Sequence, residues 1–293
     1  MGMKRVEQPE IAKPPTCDLA ESHLPAQLSD NPRHPLTRGD PLRRPGQNIA
    51  RATDQYRVRL TTSEDERTQV FRLRFRVFCS ELGEGTPDAY RRELDEDVFD
   101  AFSDHLIVEH VASRTIVGTY RLQRQSVAKA NLGFYFQREF DVAPYDHLGG
   151  ALLELGRACV DREHRRLEVL DLLWCGIARY AEHYGMRYLI GCSSLTSQDP
   201  SHGLAVFESL KKYLVHPSLR TKPLPPYDLP QVPCKPSDAK IPKLLSAYLA
   251  VGAKICGPPA LDKDFGTIDF LTFLDLTTLA PRVRARFFPN RGL

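Results

Sequence analysis

Residues 151–194 read ALLELGRACVDREHRRLEVLDLLWCGIARYAEHYGMRYLIGCSS, and three patterns follow one another within them. ALLELGRACV is an apolar, strand-like run interrupted by two charges, Glu154 and Arg157. A basic loop follows, with Arg162, His164, Arg165 and Arg166 close together. Apolar residues at 169, 170, 173, 174, 177, 178 and 181 then keep the helical period until Gly185, a residue suited to ending a helix. RYLIGCSS is a short strand of buried character, so the unit is strand, basic loop, helix, strand, which points to a layered α/β domain. Free N–H groups at a helix start beside positive charge suit an anion, although a solvated basic turn has the same appearance. The loop holds no glycine, so neither the P-loop nor the dinucleotide fingerprint matches.

Upstream of this unit, YRVRLTT alternates as a first strand, and Ser63 and Glu66 form an S-x-x-E box ahead of a helix over TQVFRLRFRVFCSEL. An acidic, polar loop is expected over 84–104, then an antiparallel hairpin from HLIVEHV and TIVGTYRL, then a loop or second hairpin around LGFYFQREFDV. Downstream, GLAVFESLKKYL and IPKLLSAYLAVG read as helices, FGTIDFLTFLDL as a strand, and the proline-rich 217–242 as a long loop. Eight prolines within the first 53 residues mark a disordered tail, which places the folded domain at 54–288 and a short tail at 289–293.

The balance of charge and apolarity excludes several classes. A net charge of +3, without a zinc-finger, helix-turn-helix or RNP pattern, argues against nucleic-acid binding. No apolar run approaches the roughly 18 residues of a membrane span, and MGMKRVEQPEIAKPP is no secretory signal. Seven scattered cysteines with no CxxC pair fit reduced, structural thiols in a cytoplasmic protein, and Cys79 and Cys192 have no paired base nearby in sequence to make them nucleophiles. No metal site and no bound cofactor are expected. The basic and aromatic end, with Arg282, Arg284, Arg286, Phe287 and Phe288, suggests peripheral contact with anionic lipid at the inner face of the cell membrane.

Charged residues inside apolar strands need partners: Asp97 and Asp100 lie in the acidic segment, Arg121 on one strand, and Glu154 with Arg157 on another. On a regular strand, residues three apart point to opposite faces, unless a bulge intervenes. The succession FRLRFRVFCSELG, DEDVFD, GTYRL and LELGR resembles the acyl-homoserine lactone synthases and their relatives. What that resemblance implies is a GNAT-like acyl-CoA N-acyltransferase fold, an α/β protein of the α+β type with a central, mostly antiparallel sheet flanked by helices. Arg74 and Phe78 match that family's helix arginine and phenylalanine, Asp97 and Asp100 its aspartate pair, Arg121 its strand arginine, and Glu154 with Arg157 its E-x-x-R. Phe134 falls where the family carries a phenylalanine beside the acyl chain. Glu84 departs from it, standing where the autoinducer synthases tend to have tryptophan.

The C-terminal block IPKLLSAYLAVGAKICGPPALDKDFGTIDFLTFLDL resembles instead the ornithine N-acyltransferases of bacterial ornithine-lipid synthesis. That resemblance implies transfer of a 3-hydroxy fatty acyl group from an acyl carrier protein thioester to the α-amine of ornithine, giving a lyso-ornithine lipid. The rival readings are an N-acyl amino acid synthase or acetyl-CoA-dependent N-acetyltransferase with another acceptor, or a noncatalytic carrier-protein or membrane-surface module. Glu154 is either the base that deprotonates the amine or a salt-bridge residue that fixes its strand. Asp97 and Asp100 either meet the acceptor's amino groups or pair with Arg74 and Arg121 as support. Arg162, Arg165 and Arg166, with the helix start Leu167, Glu168 and Val169, are the expected site for phosphopantetheine and its acidic carrier.

Overall fold

In the computed structural model, which describes residues 49–235 and 240–288, the alternation of YRVRL becomes a strand, β2 (Tyr56–Leu60), buried at Tyr56, Val58 and Leu60. A two-residue strand before it, β1 (Arg51–Ala52), pairs antiparallel with β2. Ile49 is fully buried in the main core, and Arg179 donates to the Ala50 carbonyl. The folded unit therefore starts several residues ahead of the expected Asp54. The expected tail lies, through residue 48, outside the described residues, as does 289–293.

Ser63 Oγ accepts the Glu66 N–H at 3.2 Å and caps α1 (Glu64–Arg74). The Glu66 carboxylate reaches back to the Thr62 N–H at 2.6 Å, so the box closes one residue earlier than the usual pattern. The helix then widens into a π-helical stretch, Phe75–Glu81, a geometry frequent at functional sites. The acidic segment expected as a loop is partly helical. Thr86 caps α2 (Pro87–Arg92), whose proline fits the first helical position, and Glu93 ends it in the left-handed region. A 3₁₀ turn, Val98–Phe102, follows, closed by Asp97 and Asp100 as a reciprocal cap.

The hairpin forms as β3 (Asp104–His110) and β4 (Thr115–Arg124), followed by α3 (Gln125–Ala130) and by 3₁₀ turns at Tyr135–Arg138 and Ala143–Leu148. The strand-loop-helix-strand unit is β5 (Leu152–Val160), α4 (Leu167–Tyr184) and β6 (Tyr188–Leu195). Gly185 ends α4 with φ 67°, a conformation that costs glycine little. Beyond lie α5 (Pro200–Leu210), α6 (Lys243–Val251), β7 (Lys254–Ile255), β8 (Ala260–Asp262), β9 (Thr267–Asp275) and α7 (Pro281–Phe287). The strands form one sheet in the order β1-β2-β3-β4-β5-β6-β9-β7, with β8 also on β9. Among these strands of the described residues, only β5 and β6 pair in parallel.

That parallel pair is where the sheet opens. Register is kept only from Leu152–Tyr188 to Glu154–Ile190, although both strands continue beyond. Gly191 sits at the divergence, where a Cβ would lie 2.1 Å from the Leu155 carbonyl oxygen. One sheet face buries Leu153, Leu189 and Leu274 against α4. The other buries Leu152, Ile190 and Phe273 under Phe134, Phe136 and Tyr145.

Two expectations about the C-terminal part need correction. The described part of 217–242 is no free loop. It carries 3₁₀ turns at Pro217–Leu219 and Pro225–Tyr227 and bridges Phe140 to Pro223 and Asp228 to Ala260. The basic, aromatic end is α7, with Phe287 and Phe288 buried in the main core and Phe287 5.8 Å from the Trp174 ring. Its aromatic residues complete the hydrophobic core and are not available to lipid.

Candidate active site

β4 and β5 slip register between Thr119 and Arg121, and Arg157 takes a left-handed φ of 49°. This bulge turns Arg157 to the side of Glu154, correcting the opposite-face expectation for a regular strand. Both residues meet Tyr135: Glu154 Oε2 accepts its N–H at 2.8 Å, and the Arg157 guanidinium lies 4.9 Å from its ring centroid. The left-handed conformation costs a non-glycine residue about 1 kcal/mol, and the contacts of Arg157 offset it.

Those contacts belong to a closed network of three arginines and three aspartates. Arg74, on the last turn of α1 and fully buried, donates through Nη1 and Nη2 to Asp100 at 2.8 and 3.1 Å and through Nε to Asp95 at 2.8 Å. Arg121 Nη1 meets both Asp97 oxygens at 2.6 and 2.7 Å and Asp100 at 3.2 Å. Arg157 reaches Asp97 at 3.1 Å and Asp95 at 3.3 Å. Burial alone would raise the Asp97 and Asp100 carboxyls, but Arg121 and Arg157 beside the first, and Arg74 and Arg121 beside the second, hold both below their ordinary range. His105, 3.8 Å from Asp100, is pushed down to about 3 by burial and stays neutral. Three positive charges face three negative ones, and the network ties the 95–102 segment to α1, β4 and β5. Asp95 escaped the sequence reading because only Asp97 and Asp100 were matched within DEDVFD.

Glu154 is built differently. Its oxygens accept the Phe136 and Tyr135 N–H groups, each at 2.8 Å, and it makes no salt bridge among the described residues. The arginine partner expected in its structural role is therefore absent, and its support goes to the turn over β5. Burial raises its carboxyl to about 7, with Arg121 and the two N–H groups opposing. A carboxyl poised there can take a proton near neutral pH.

Next to Glu154 on β5, Leu155 borders a cleft opened by the divergence of β5 and β6, whose walls also include Trp174, Gly191, Cys192, Tyr248 and Phe273 but not Glu154 itself. A small, closely packed apolar space shares Trp174, Leu189 and Leu274 with it and ends at Phe287 and Phe288. β5 leads from the cleft to the basic loop and the start of α4. The N–H groups of Leu167, Glu168 and Val169 in its first turn have no intrahelical acceptor, and no side chain caps the helix. Leu167 is exposed, whereas the Val169 side chain is fully buried and only its backbone can serve a ligand. Arg162 and Arg166 are exposed, and Arg165 pairs with Glu81. Phe78 packs edge-on to Phe265 at 6.0 Å. Phe134 stacks on Phe136 at 5.3 Å in the opposite core and does not line the cleft. Burial holds the Cys79 thiol up at about 11 and raises Cys192 well above its usual value, so neither is poised as a thiolate.

Residues 73–175 match the acetyltransferase (GNAT) domain family. Over 241 residues the chain is 35% identical to the L-ornithine N(alpha)-acyltransferase of Agrobacterium fabrum, covering 77% of this chain and 82% of that one. The chain belongs to the L-ornithine N(alpha)-acyltransferase family. Its Rhizobium meliloti relative of the same name is 34% identical, over 77% of this chain and 81% of that one. Among solved structures, the AHL synthase LasI aligns over 81% of the chain and 97% of its own length, at 11% identity and a TM-score of 0.47. The family is one of acyltransferases on the GNAT fold, and no helix among the described residues is long and apolar enough to cross a membrane.

Proposed function

We propose that this acyltransferase moves a 3-hydroxy fatty acyl group from an acyl carrier protein thioester to the α-amine of ornithine, giving a lyso-ornithine lipid. The observation that carries the reading is the position of Glu154: a carboxyl raised to about 7, on the strand that borders the apolar cleft. Amine attack on a thioester needs a neutral amine, a stabilised oxyanion and a proton for the leaving thiol. Glu154 takes the proton from the α-ammonium, directly or through water. The amine nitrogen then bonds to the thioester carbonyl carbon, and as the tetrahedral intermediate collapses the carbon–sulfur bond breaks, the proton lost by the nitrogen passing to the leaving thiolate.

The β5-facing edge of β6 beyond Ile190 has no strand partner among the described residues. Its N–H groups are the donors assigned to the oxyanion. The acyl chain takes the cleft, and phosphopantetheine runs toward the α4 start, its phosphate met by the N–H groups there and by Arg162, Arg165 and Arg166. The same arginines steer the acidic carrier protein. Arg74, Asp97, Asp100, Arg121 and Arg157 hold the 95–102 segment and Tyr135 in place and touch neither substrate.

The purified chain, given ornithine with equimolar acetyl-CoA and 3-hydroxyacyl carrier protein, should consume the carrier thioester and release one free thiol per ornithine acylated. Consumption of acetyl-CoA with the carrier thioester untouched would refute the donor assignment.

A further inference from the structure

In contrast to the paired network around Arg74, a second group of acids has no ion-pair contact, the Arg157 charge reaching Glu84, Glu139 and Asp269 only at longer range. Glu84, Glu139, Asp262 and Asp269 make no salt bridge among the described residues, and all four are buried. Two are satisfied locally: Asp262 Oδ1 accepts the Asp264 and Phe265 N–H groups, and Glu84 accepts the Thr196 hydroxyl at 2.6 Å. Glu139 and Asp269 are satisfied only in part. Asp269 interacts with Ser194 and Thr267, yet its Oδ1 is buried without a hydrogen-bond donor, and Glu139 faces Asp269 itself and the Cys192 thiol, a weak donor at 3.8 Å. One ligand atom from each of Glu139, Cys192 and Asp269 lies within 4.8 Å of the others. Burial and mutual repulsion raise both acids, Asp269 to about 6, so without a cation they hold a proton that solvent-exposed carboxyls would release.

Their place relative to Glu154 is informative. Glu139 closes the turn that Glu154 holds by two N–H bonds, and Cys192 stands on β6 two residues past Ile190, the register partner of Glu154. That is about 7 Å along the strand, close to the five bonds and about 6 Å that separate the α-amine of ornithine from its side-chain nitrogen.

We propose that Glu139 and Asp269 bind the side-chain ammonium of the acceptor amino acid and thereby set both its identity and the nitrogen that reacts. An ammonium would supply the donor that Asp269 Oδ1 lacks. Glu84, whose Coulombic field reaches Asp269, adds to the negative potential. With the ammonium held there, the α-amine is left at Glu154. This inference rests on the ornithine reading above.

The test compares ornithine with norleucine, in which a methyl group replaces the side-chain ammonium, for the full chain and its Glu139→Gln and Asp269→Asn variants. The unsubstituted chain should favour ornithine by about 10³-fold or more in kcat/KM, since a buried polar site rejects an analogue lacking its partner. Each variant should raise the ornithine KM roughly 30-fold or more and leave norleucine turnover unchanged. Ornithine should raise the melting temperature of the unsubstituted chain and of neither variant, while the variants unliganded melt no lower than the parent. Retention of the ornithine preference in both variants would overturn the inference alone. Stoichiometric metal whose removal abolishes the ornithine thermal shift would overturn it too, by assigning the acids to a metal. If neither amine is acylated the proposed reaction falls, and the thermal shift, independent of turnover, still decides whether these acids bind the ammonium.

Discussion

Replacing Asp100 with Asn should unfold the protein more than it should alter its chemistry. The Asp100 carboxylate, fully buried, accepts from Arg74 twice, from Arg121 once and from the Asp97 N–H. An asparagine keeps one acceptor oxygen, turns an amide toward a guanidinium, and leaves a net positive charge in the interior. Breaking a buried pair from one side costs about 3–5 kcal/mol, a large part of the roughly 5–15 kcal/mol that holds a domain together. With a urea dependence of about 3 kcal/mol per molar, the midpoint should fall by about 1–1.7 M. Trp174, the only tryptophan in the sequence and packed between Tyr248 and Phe287, reports the transition by fluorescence. Adding Arg74→Met to Asp100→Asn should recover about 1 kcal/mol or more, as coupled residues do. The folded fraction should keep its ornithine KM within about threefold, a change below 1 kcal/mol. A midpoint that barely moves, together with an ornithine KM raised tenfold or more, would show that Asp100 binds the acceptor and would refute the support role.

Further outcomes follow from the same geometry. Glu154→Gln should lower kcat by about 10²–10⁴ and remove the rise of kcat/KM through about pH 7 that ionisation of this carboxyl gives the parent. Its raised folded value means that the folded state binds the proton more tightly, so Glu154 stabilises below its ordinary 4.5 and that contribution is lost as pH rises to about 7. The loss is about 3 kcal/mol at 1.36 kcal/mol per unit, and chemical denaturation across this range should show it in the parent and not in the variant. Gly191→Ala places a methyl 2.1 Å from the Leu155 carbonyl oxygen, so β5 and β6 must shift where they diverge. Soluble protein should retain under about a tenth of parental activity, a loss of some 1.4 kcal/mol or more. Phe287→Ala should cost about 3–5 kcal/mol in thermal or urea unfolding, whereas a surface aromatic waiting for lipid would cost almost nothing.

Legibility followed locality. The hairpin β3–β4, the capped start of α1 and the Gly185 stop of α4 are written in short runs whose periods and end residues act within a few positions. The family's charged residues were visible as charges in apolar patterns, but their partners were not: Asp95 and Arg157 are 62 residues apart in sequence and meet only because the sheet brings them together. The bulge puts Arg157 and not the neighbouring Gly156 at its left-handed position, so the sequence left open whether Glu154 and Arg157 would share a side. Basic residues around Phe287 and Phe288 resembled an exposed tail because the apolar partner, Trp174, lies on another helix. Glu139 and Asp269 drew no attention for the same reason, since their proximity comes from a turn held by Glu154 and a strand paired with β6.

The central claim is α-nitrogen acylation of ornithine, and tandem mass spectrometry of lipids from cells expressing this chain alone tests it most directly. The account predicts a mono-acylated ornithine carrying a 3-hydroxy fatty acyl group, whose fragments keep a free side-chain amine. A lipid extract without such a species, or one acylated on the side-chain nitrogen, would contradict it.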